Sequence, residues 1–410
     1  MSRWFMQGDK EGSSTPYGDN PSCGKYVDVD DDGECTTKLY YEVYGSKTGD
    51  PLFVLHGGGV GCSYELGLIV DRLLALGKHK IVLVTTRGHG RSGLGKCKMS
   101  MEQRVKDLSA VVHQEVSSGT RISLIGFSDG GYTALALAKH RPELVERVIT
   151  IGVGSVKPGD HSADADVQQW IKCDPVFTEY MKKVMPEFGR WQEFASDYMS
   201  FWNKVSLGRG FFGSVSCPVL LIAGDEDDHV PIQTVVDAYM MLPQARLAII
   251  PKARHTCFLD NLDATWDAIK PFIAEPIDSL KPSVKKNVTP IPDKPVTTEM
   301  LRSCSSWDGA KLPKYPEGQP EIVVNNVSIP PHSRLPWHSH GIMSYALVQR
   351  GDLTIIKRET GEERTFHTGD VFPEVVGSIH CGENRGEEPV ELTVFYASTP
   401  GANLSVSASQ

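Results

Sequence analysis

Short, continuous apolar runs recur along the first two thirds of the chain. The segments PLFVLHGG, KIVLVTTRG, RISLIGFS, RVITIGVG and CPVLLIAGDE are rich in β-branched residues and bounded by glycine, which is typical of buried parallel strands. Amphipathic stretches such as MSMEQRVKDLSAVVHQEV lie between them. Because alternating strands and helices build layered folds, this pattern predicts a doubly wound, mostly parallel α/β sheet over residues 24–274.

Two regions of this first part depart from the alternation. Residues 155–213 are rich in aromatic residues and helix formers and contain no clear strand, so we expect a helical cap inserted after RVITIGV. Ordinary packing helices are the alternative. Residues 1–23 have no apolar core of the kind found in secretory signals, and they indicate a polar N-terminal arm.

The pattern changes again after residue 274. Residues 275–305 carry recurrent prolines without apolar periodicity, which favours an extended linker. From residue 306 to residue 410, runs such as SYALVQRGDLTIIKRE and PVELTVFYAS alternate with RGD, TGE and TGD turns. About 100 residues of short strands predict a second, all-β domain folded as a small barrel.

Composition narrows the class of protein. The 410 residues carry a net charge of -9, with 40% hydrophobic and 23% charged residues. A nucleic-acid-binding domain would need a basic stripe, and a membrane span would need roughly 18–20 consecutive apolar residues. The sequence has neither, so we expect neither partner. Its nine cysteines form no CxxC pair, which suits reduced thiols and a cytoplasmic location.

A serine nucleophile is indicated between a strand and a helix. The segment Gly126-Phe127-Ser128-Asp129-Gly130 fits G-x-S-x-G, follows the apolar run ISLIGF and precedes the helical stretch YTALALAKH. Such a sharp turn exposes the serine oxygen, and the N-terminus of the helix favours developing negative charge. Ser128 is therefore the predicted nucleophile, with a glycine-rich turn as the alternative.

An acid follows in the chain order expected of this motif. The segment GDEDDHVP comes directly after the strand PVLLIAG, where a loop can present a carboxylate to the site. Asp227 is the predicted acid, and Asp225 and Asp228 are its rivals. Some of these carboxylates also belong to an ordinary solvated turn.

A base follows 28 positions after the acid. His255 comes after the short strand RLAIIPKAR, and a histidine there would take the proton from Ser128 and return it to the leaving group. His229 and His140 are the alternatives. One lies inside the acid loop and the other at a helix end, where solvated or capping roles suit them better.

Glycines after the first strand predict an oxyanion hole. The segment His56-Gly57-Gly58-Gly59 follows PLFVL and leaves backbone N–H groups free to face the site. We expect the donors to be the N–H of Gly58, or of Gly59, and the N–H of Asp129.

Together these segments resemble the α/β-hydrolase superfamily, and within it the group related to valacyclovir hydrolase, also called biphenyl hydrolase-like. The resemblance rests on HGGG, TTRGHGRSG, GFSDGG, GDEDDHVP and His255. Thr85 stands where the family often has aspartate. The resemblance implies a cofactor-independent serine carboxylesterase acting on a small-molecule ester through an acyl-enzyme. It also raises a substrate-binding role for Asp129, whose carboxylate could pair with the amino group of an aminoacyl ester.

Histidines in the second domain have the spacing of metal ligands. His338 and His340 are two positions apart in a predicted strand, so their side chains share a face. His380 lies on another predicted strand. Three imidazoles that converge inside a barrel would suit Fe, Mn, Ni, Cu or Zn.

These histidines resemble the two motifs of the cupin fold. The first motif, G-x5-H-x-H-x3-E-x6-G, and the second, G-x5-P-x-G-x2-H-x3-N, are matched at His338, His340, Gly351, Gly369, Gly377, His380 and Asn384. Ser344 replaces the glutamate ligand of the first motif, and Val375 replaces the proline of the second. A three-histidine site stays open, with Glu374 as an alternative fourth ligand. So does a barrel that holds no metal or that binds an organic molecule.

Three functions remain open at this point. The first is a serine esterase fused to a cupin that binds a metal or a small ligand. The second adds a metal-dependent oxygenase or isomerase activity in the cupin. The third is a ligand receptor with weak hydrolysis, since fold does not dictate function. The cupin resemblance also allows a homo-oligomer formed through that domain.

Overall fold

The computed structural model describes residues 12–31, 33, 35–59, 62–96, 98–161, 175–280 and 297–408. Most of the predicted linker, the first part of the N-terminal arm and residues 162–174 of the predicted cap lie outside the described residues. The chain divides into two compact units, residues 1–291 and residues 292–410.

A single mixed sheet organises the first unit. Its strands are β1 (Gly24–Asp30), β2 (Thr36–Gly45), β3 (Asp50–Leu55), β4 (His79–Val84), β5 (Ile122–Phe127), β6 (Val145–Ile151), β7 (Val219–Gly224) and β8 (Ala245–Ile250). They lie in the order β1-β2-β4-β3-β5-β6-β7-β8. The pairs β1–β2 and β2–β4 are antiparallel and the others are parallel, which confirms the predicted, mostly parallel sheet.

Helices follow the strands as the amphipathic pattern predicts. Their bounds are α1 (Gly67–Ala75), α2 (Met101–Glu115), α3 (Asp129–His140), α4 (Pro175–Val184), α5 (Trp191–Lys204), α6 (Arg209–Phe212), α7 (Ile232–Met241), α8 (Cys257–Asp260) and α9 (Leu262–Ala274). Short 3-10 turns span Ser63–Leu66, Phe188–Arg190 and Ile277–Leu280. Ser100 begins α2 as an N-cap, because its side chain accepts a hydrogen bond from the Gln103 amide (3.1 Å).

The two faces of the sheet carry separate hydrophobic cores. One core packs α2, α3 and α7 against the sheet, and the other packs α1 and α9 against the opposite face. This arrangement explains why the strands read as continuous apolar runs, since both of their faces are buried.

Packed side chains lie beyond both predicted ends of the first domain. Residues 12–23, predicted as part of a polar arm, pack on the domain: Tyr17 is 1% exposed and its hydroxyl donates to Asp71 (2.6 Å). At the other end, the linker was predicted from residue 275, but Leu280 is fully buried in the core. A few apolar side chains in polar segments therefore extend the unit beyond the range that periodicity indicated.

A helical cap interrupts the sheet between β6 and β7, as the aromatic-rich interval predicts. It contains α4, α5 and α6. Met181, Trp191 and Phe194 form a separate small core with Cys62 and Leu94 of the main domain. The cap therefore packs over the ends of the strands that carry the predicted site.

The second unit is rich in strands, as predicted, and its paired strands are antiparallel. Its strands are β9 (Glu321–Ile329), β10 (Ser333–Arg334), β11 (His338–Ser339), β12 (Ser344–Arg350), β13 (Leu353–Lys357), β14 (Glu363–Phe366), β15 (Val371–Pro373), β16 (His380–Asn384), β17 (Val390–Ser398) and β18 (Val406–Ser407). One sheet has the order β15-β12-β17-β9, the other β14-β13-β16-β11-β18, and β10 pairs with β16. They share one hydrophobic core. The cupin assignment itself stays a prediction.

Within the described ranges, no helix combines the length and the apolar character that crossing a membrane requires.

Close backbone contacts fix the turn between β5 and α3. A Cβ atom on Gly126 would lie 2.4 Å from the carbonyl oxygen of Gly130, and one on Gly130 would lie 2.5 Å from the carbonyl oxygen of His56. Because backbone atoms cannot move away as a flexible side chain can, both positions require glycine. The turn that carries Ser128 is thereby held against the loop after β3.

We expect Gly130→Ala to lower the free energy of unfolding by about 2 kcal/mol, because the added methyl group overpacks a rigid backbone contact. Chemical denaturation measures the change. Gly210→Ala is the matched control, since a Cβ there meets open space within the short helix α6. Equal effects of the two substitutions would contradict the close packing at the turn.

Candidate active site

Ser128 lies at the turn between β5 and α3 with a strained backbone. Its φ of 48° and ψ of -117° are rare for a residue other than glycine. Hydrogen bonds hold this conformation: the Ser128 amide donates to the Ile151 carbonyl (2.7 Å), and the Ser128 carbonyl accepts from the Gly131 amide (2.9 Å). Strain maintained in this way is concentrated at functional sites, and a strand-turn-helix context is the one that G-x-S-x-G requires.

The predicted acid and base are in contact. Asp227 Oδ2 lies 2.8 Å from His255 Nδ1, and both side chains are almost fully buried. Asp227 Oδ1 accepts from the amides of His229 (2.9 Å) and Val230 (2.8 Å), which fixes the carboxylate. Because the carboxylate only accepts, it assigns the proton of neutral His255 to Nδ1 and leaves Nε2 as the basic atom.

The rival acids occupy other positions. Asp225 Oδ1 accepts from the Ala253 amide (3.2 Å), which makes it part of the turn. The exposed Asp228 pairs with His229 Nδ1 (2.7 Å). Of the three aspartates, Asp227 is the one whose carboxylate contacts His255.

The two alternative bases, His229 and His140, lie at other positions. The His229 ring stacks on the His255 ring with centroids 5.0 Å apart, and it lines the same cavity. His140 is exposed at the last residue of α3, about 18 Å from Ser128 along the helix. His229 is therefore a wall of the site, while His140 is remote from it.

One cavity brings the predicted residues together. It measures about 330 Å³ and is bordered by Ser128, His255 and the glycine loop. Aromatic and apolar side chains form most of its remaining wall: Phe127, Tyr132, Tyr198, Met199, Trp202 and Val230. Such a lining suits an apolar group beside a reacting carbonyl.

Two buried side chains shape the glycine loop. His56 Nδ1 contacts the Gly57 carbonyl (2.5 Å), and His56 Nε2 accepts from the Thr86 amide (3.0 Å). Burial lowers the pKa of His56 well below its usual value, so the neutral ring serves as a fixed bridge. Glu65 Oε2 accepts from the Gly57 amide (2.8 Å). Neither role could be expected from the HGGG motif alone.

Gly58 and Asp129, the two residues predicted to supply oxyanion donors, lie next to each other in space. A Cβ atom placed on Gly58 would lie 2.8 Å from the Asp129 Cβ and 1.9 Å from the Tyr198 hydroxyl. The loop after β3, the first turn of α3 and the cap helix α5 therefore meet at Gly58. The oxyanion roles of Gly58 and Asp129 stay predictions.

The carboxylate of Asp129 is buried and has three donors. Asp129 Oδ2 accepts from Arg104 Nη1 (2.5 Å), and Asp129 Oδ1 accepts from Trp202 Nε1 (3.1 Å) and the Tyr198 hydroxyl (3.4 Å). The residue is 2% exposed. Arg104 neutralises the charge of this carboxylate, and its role in binding a substrate amine stays a prediction.

The sequence does contain one signal of this arrangement. Arg104 lies on the face of α2 that also carries the buried Met101, Val105 and Leu108. A charged residue on an apolar helix face requires a buried partner. The identity of that partner, Asp129, depends on tertiary packing.

The three histidines of the second unit also come together. One nitrogen from each of His338, His340 and His380 lies within 4.8 Å of the others. Their Nδ1 atoms contact the carbonyls of Pro336 (2.8 Å), Leu404 (2.8 Å) and Ser378 (3.0 Å) respectively. Because a carbonyl only accepts, each Nδ1 carries a proton, and Nε2 is the atom of each ring that is left to bind a metal.

This cluster is buried and incompletely bonded. His340 and His380 are each 2% exposed, and the His380 Nε2 atom has no hydrogen-bond partner among the described residues. Burial lowers the pKa of His380 to about 4, so its ring is neutral at pH 7. Three imidazole nitrogens this close together fit a first-row divalent metal.

Glu374 points toward this cluster from a different strand end. Its Oε2 accepts from the Ser344 hydroxyl (2.8 Å) and lies 3.2 Å from His340 Nε2. Ser344 is the position where the cupin motif has glutamate. The direction of the Glu374 side chain, which alternation along the strands left open, is therefore toward the histidines.

Comparison with known proteins places the first unit in a family. Residues 52–268 match the model of the alpha/beta hydrolase family. Because this match covers more than half of the chain, the protein belongs to that family. The match includes Ser128, Asp227 and His255.

Individual relatives are distant. A 2-hydroxy-6-oxononadienedioate/2-hydroxy-6-oxononatrienedioate hydrolase of Dechloromonas aromatica is 24% identical over 269 residues, covering 58% of this chain and 91% of that protein. A proline iminopeptidase of Xylella fastidiosa (strain Temecula1 / ATCC 700964) is 31% identical over 296 residues, covering 58% and 93%. The acylamino-acid-releasing enzyme of Rattus norvegicus is 25% identical over 241 residues. The matched region covers 54% of this chain and only 30% of that enzyme.

Solved structures agree on the fold. Bromoperoxidase from Bacillus anthracis superposes with a TM-score of 0.50 at 17% identity, covering 62% of this chain and all of that one. At this identity the likeness concerns the fold alone.

We expect the buried Glu65 to make stability depend on pH. Burial raises the pKa of Glu65 to about 8, from 4.5 in the unfolded chain. Between these values the folded protein holds a proton that the unfolded chain has released, so the free energy of unfolding falls as pH rises from about 5 to 8. Glu65→Gln removes this loss, and the variant should gain on wild type by up to about 1.4 kcal/mol per pH unit.

Urea denaturation between pH 5 and pH 9 measures this difference. Glu102→Gln, on the exposed side of α2, is the control and should track wild type. A constant offset between Glu65→Gln and wild type across the range would show that Glu65 is ionised throughout.

Proposed function

We propose that the first unit is a serine hydrolase that cleaves small-molecule carboxylic esters through an acyl-enzyme. The contact between Asp227 and His255, in one cavity with the strained Ser128, carries the proposal. Membership in the alpha/beta hydrolase family supports it, and several relatives are named as hydrolases. The proposed chemistry requires no cofactor, because every group it uses belongs to the chain.

The proposed mechanism follows from the positions of these groups. Ser128 Oγ attacks the ester carbonyl while His255 Nε2 takes its proton, and Asp227 stabilises the imidazolium. The amides of Gly58 and Asp129 stabilise the oxyanion. His255 then protonates the departing alcohol. Water attacks the acyl-enzyme with the same base, and the acid is released.

The cavity supports an uncharged acyl group. Its aromatic and apolar wall favours burial of hydrocarbon, and the nearby carboxylate of Asp129 is paired with Arg104. An aminoacyl ester would bring a second cation to a charge that is already compensated. We therefore propose a neutral, apolar acyl chain or an aryl group rather than an aminoacyl group.

We expect Ser128→Ala to lower kcat on p-nitrophenyl esters by about 10⁴-fold or more, because the nucleophile is lost. Asp227→Asn should lower kcat by a similar factor, because it removes the partner that fixes the His255 tautomer. Steady-state kinetics with matched short and aryl acyl esters measures both.

Asp228→Asn is the matched control for Asp227→Asn. It makes the same chemical change one residue away on an exposed side chain, and its kcat should stay within about threefold of wild type, as for most surface substitutions. Full turnover by Ser128→Ala would reject the serine mechanism, whereas failure of Ser128 to react with a fluorophosphonate would favour the receptor alternative.

We also propose that His338, His340 and His380 bind a divalent metal, selected from Fe, Mn, Ni, Cu and Zn. The convergence of one nitrogen from each ring, together with the buried His380 Nε2 atom that has no hydrogen-bond partner among the described residues, supports a cation rather than a packed core, since an unmet lone pair is otherwise costly. A bound metal would supply Lewis acidity or redox chemistry. Whether the second unit adds an oxygenase or isomerase activity is a separate alternative, favoured only by the small number of protein ligands.

We expect the full-length protein to bind about one equivalent of metal after incubation with Mn²⁺, Ni²⁺ or Zn²⁺, or anaerobically with Fe²⁺. His340→Ala should weaken binding by about tenfold or more, because a ligand is lost. Elemental analysis after gel filtration measures the stoichiometry.

His332→Ala is the control, since this histidine is exposed and pairs with Glu387. It should bind as wild type does. Absence of metal from wild type under all four conditions would reject the proposed site and leave the esterase unaffected.

A further inference from the structure

The residue that follows Ser128 has a buried carboxylate with three hydrogen-bond donors. Asp129 is the first residue of α3, and its amide is a predicted oxyanion donor. Its carboxylate accepts from one side chain of α2 and from two of the cap helix α5. The proposed catalysis requires the amide and leaves this carboxylate without a task.

Arg104 is built into this position. Its guanidinium donates to Asp129 and to the Thr133 hydroxyl (3.1 Å), one turn further along α3. It also lies over the rings of Phe201 (5.3 Å) and Trp202 (5.8 Å) in the cap. Arg104 is 9% exposed, so its interactions with Asp129 and with the two rings are strengthened by the low polarity of the protein interior.

The cap contributes the remaining contacts. Trp202 Nε1 and the Tyr198 hydroxyl both reach Asp129 Oδ1, and the Tyr198 hydroxyl touches Gly58 as well. Burial raises the pKa of Tyr198 well above its usual value, so the hydroxyl keeps its proton and donates. One cap side chain therefore spans the two residues that supply the predicted oxyanion donors.

A buried carboxylate must keep its partners or change its position. Removal of Arg104 would leave an uncompensated charge in the protein interior, and the carboxylate would then turn toward water or take up a proton. The carboxylate and the amide N–H belong to the same residue, separated by two carbon atoms. A displaced carboxylate therefore shifts the first turn of α3, and with it the direction of the N–H.

From these contacts we propose that Arg104 is a positioning residue for oxyanion stabilisation. It acts through Asp129, and Tyr198 and Trp202 complete the alignment when the cap is packed on the main domain. This inference rests on the proposed serine mechanism. It assigns to the Arg104–Asp129 pair a role in the transition state rather than in substrate charge recognition.

The test separates transition-state alignment from general stability. Arg104→Met keeps a similar length without the charge, and we expect it to lower kcat on a neutral aryl ester by about 10–100-fold with little change in KM. Loss of a complete oxyanion donor costs about 10²–10³-fold, and a misaligned donor costs less. Rates are normalised to the fraction of sites labelled by a fluorophosphonate.

A second readout reports the oxyanion directly. An aryl trifluoromethyl ketone forms a hemiketal when Ser128 Oγ bonds to its carbonyl carbon, with the oxygen becoming an anion and the serine proton moving to His255. We expect its inhibition constant to rise in parallel with the loss of kcat in Arg104→Met. Inhibition by the corresponding carbinol, which cannot form the anion, should stay unchanged.

Arg147→Met is the matched control. Arg147 is also buried, but it donates to the Phe272 carbonyl (2.7 Å) from the far end of β6, away from Ser128. It should lose stability without a change in kcat.

Trp202→Phe is a milder second variant, which removes one donor to Asp129 and keeps the ion pair. We expect a loss of about 3–10-fold in kcat and in ketone inhibition, with carbinol inhibition unchanged.

Each outcome decides the proposal. Equal weakening of ketone and carbinol, an unchanged kcat, or a parallel loss in Arg147→Met would overturn the role of Arg104. If Arg104→Met does not fold, the ketone and carbinol inhibition constants of Arg104→Lys give the decision, because lysine keeps the charge and loses the planar guanidinium. Undiminished turnover by Ser128→Ala would instead reject the serine mechanism on which the inference rests.

Discussion

The close approach of backbone at the β5–α3 turn is the constraint on which the rest of the site depends. Gly126 and Gly130 bring that turn against the loop after β3, and hydrogen bonds hold Ser128 at a φ that its side chain disfavours. This sharp turn presents the Ser128 side chain at the end of β5. Parallel strands then bring Asp227 and His255 to the same edge of the sheet, where Asp227 contacts His255 and His255 lines one cavity with Ser128.

Local chemistry made much of this arrangement predictable. A buried parallel strand, a glycine-rich turn and a helix start each leave a short pattern, so Ser128, Asp227 and His255 could be selected before their contacts were known. The partners of Asp129 left no such pattern. Arg104, Tyr198 and Trp202 are 25, 69 and 73 positions away, and three separate elements must pack before they meet.

The second unit shows the same limit in a different form. Alternation along a strand predicted that His338 and His340 share a face, and the structure brings them to His380. Glu374 lies just beyond the end of β15, where alternation gives no direction. Its carboxylate accepts a hydrogen bond from Ser344, the residue that stands where the cupin motif has glutamate. The sequence shows that Ser344 replaces the glutamate of the motif, but the proximity of Glu374 to Ser344 depends on tertiary packing.

Direct detection of the acyl-enzyme tests the central claim. Wild-type protein mixed with an aryl ester and quenched in acid within milliseconds should gain the mass of one acyl group, and peptide mass spectrometry should place it on Ser128. His255→Ala should show almost none, because the serine is not activated. Product release with no adduct, or an acyl group on another residue, would contradict the serine mechanism.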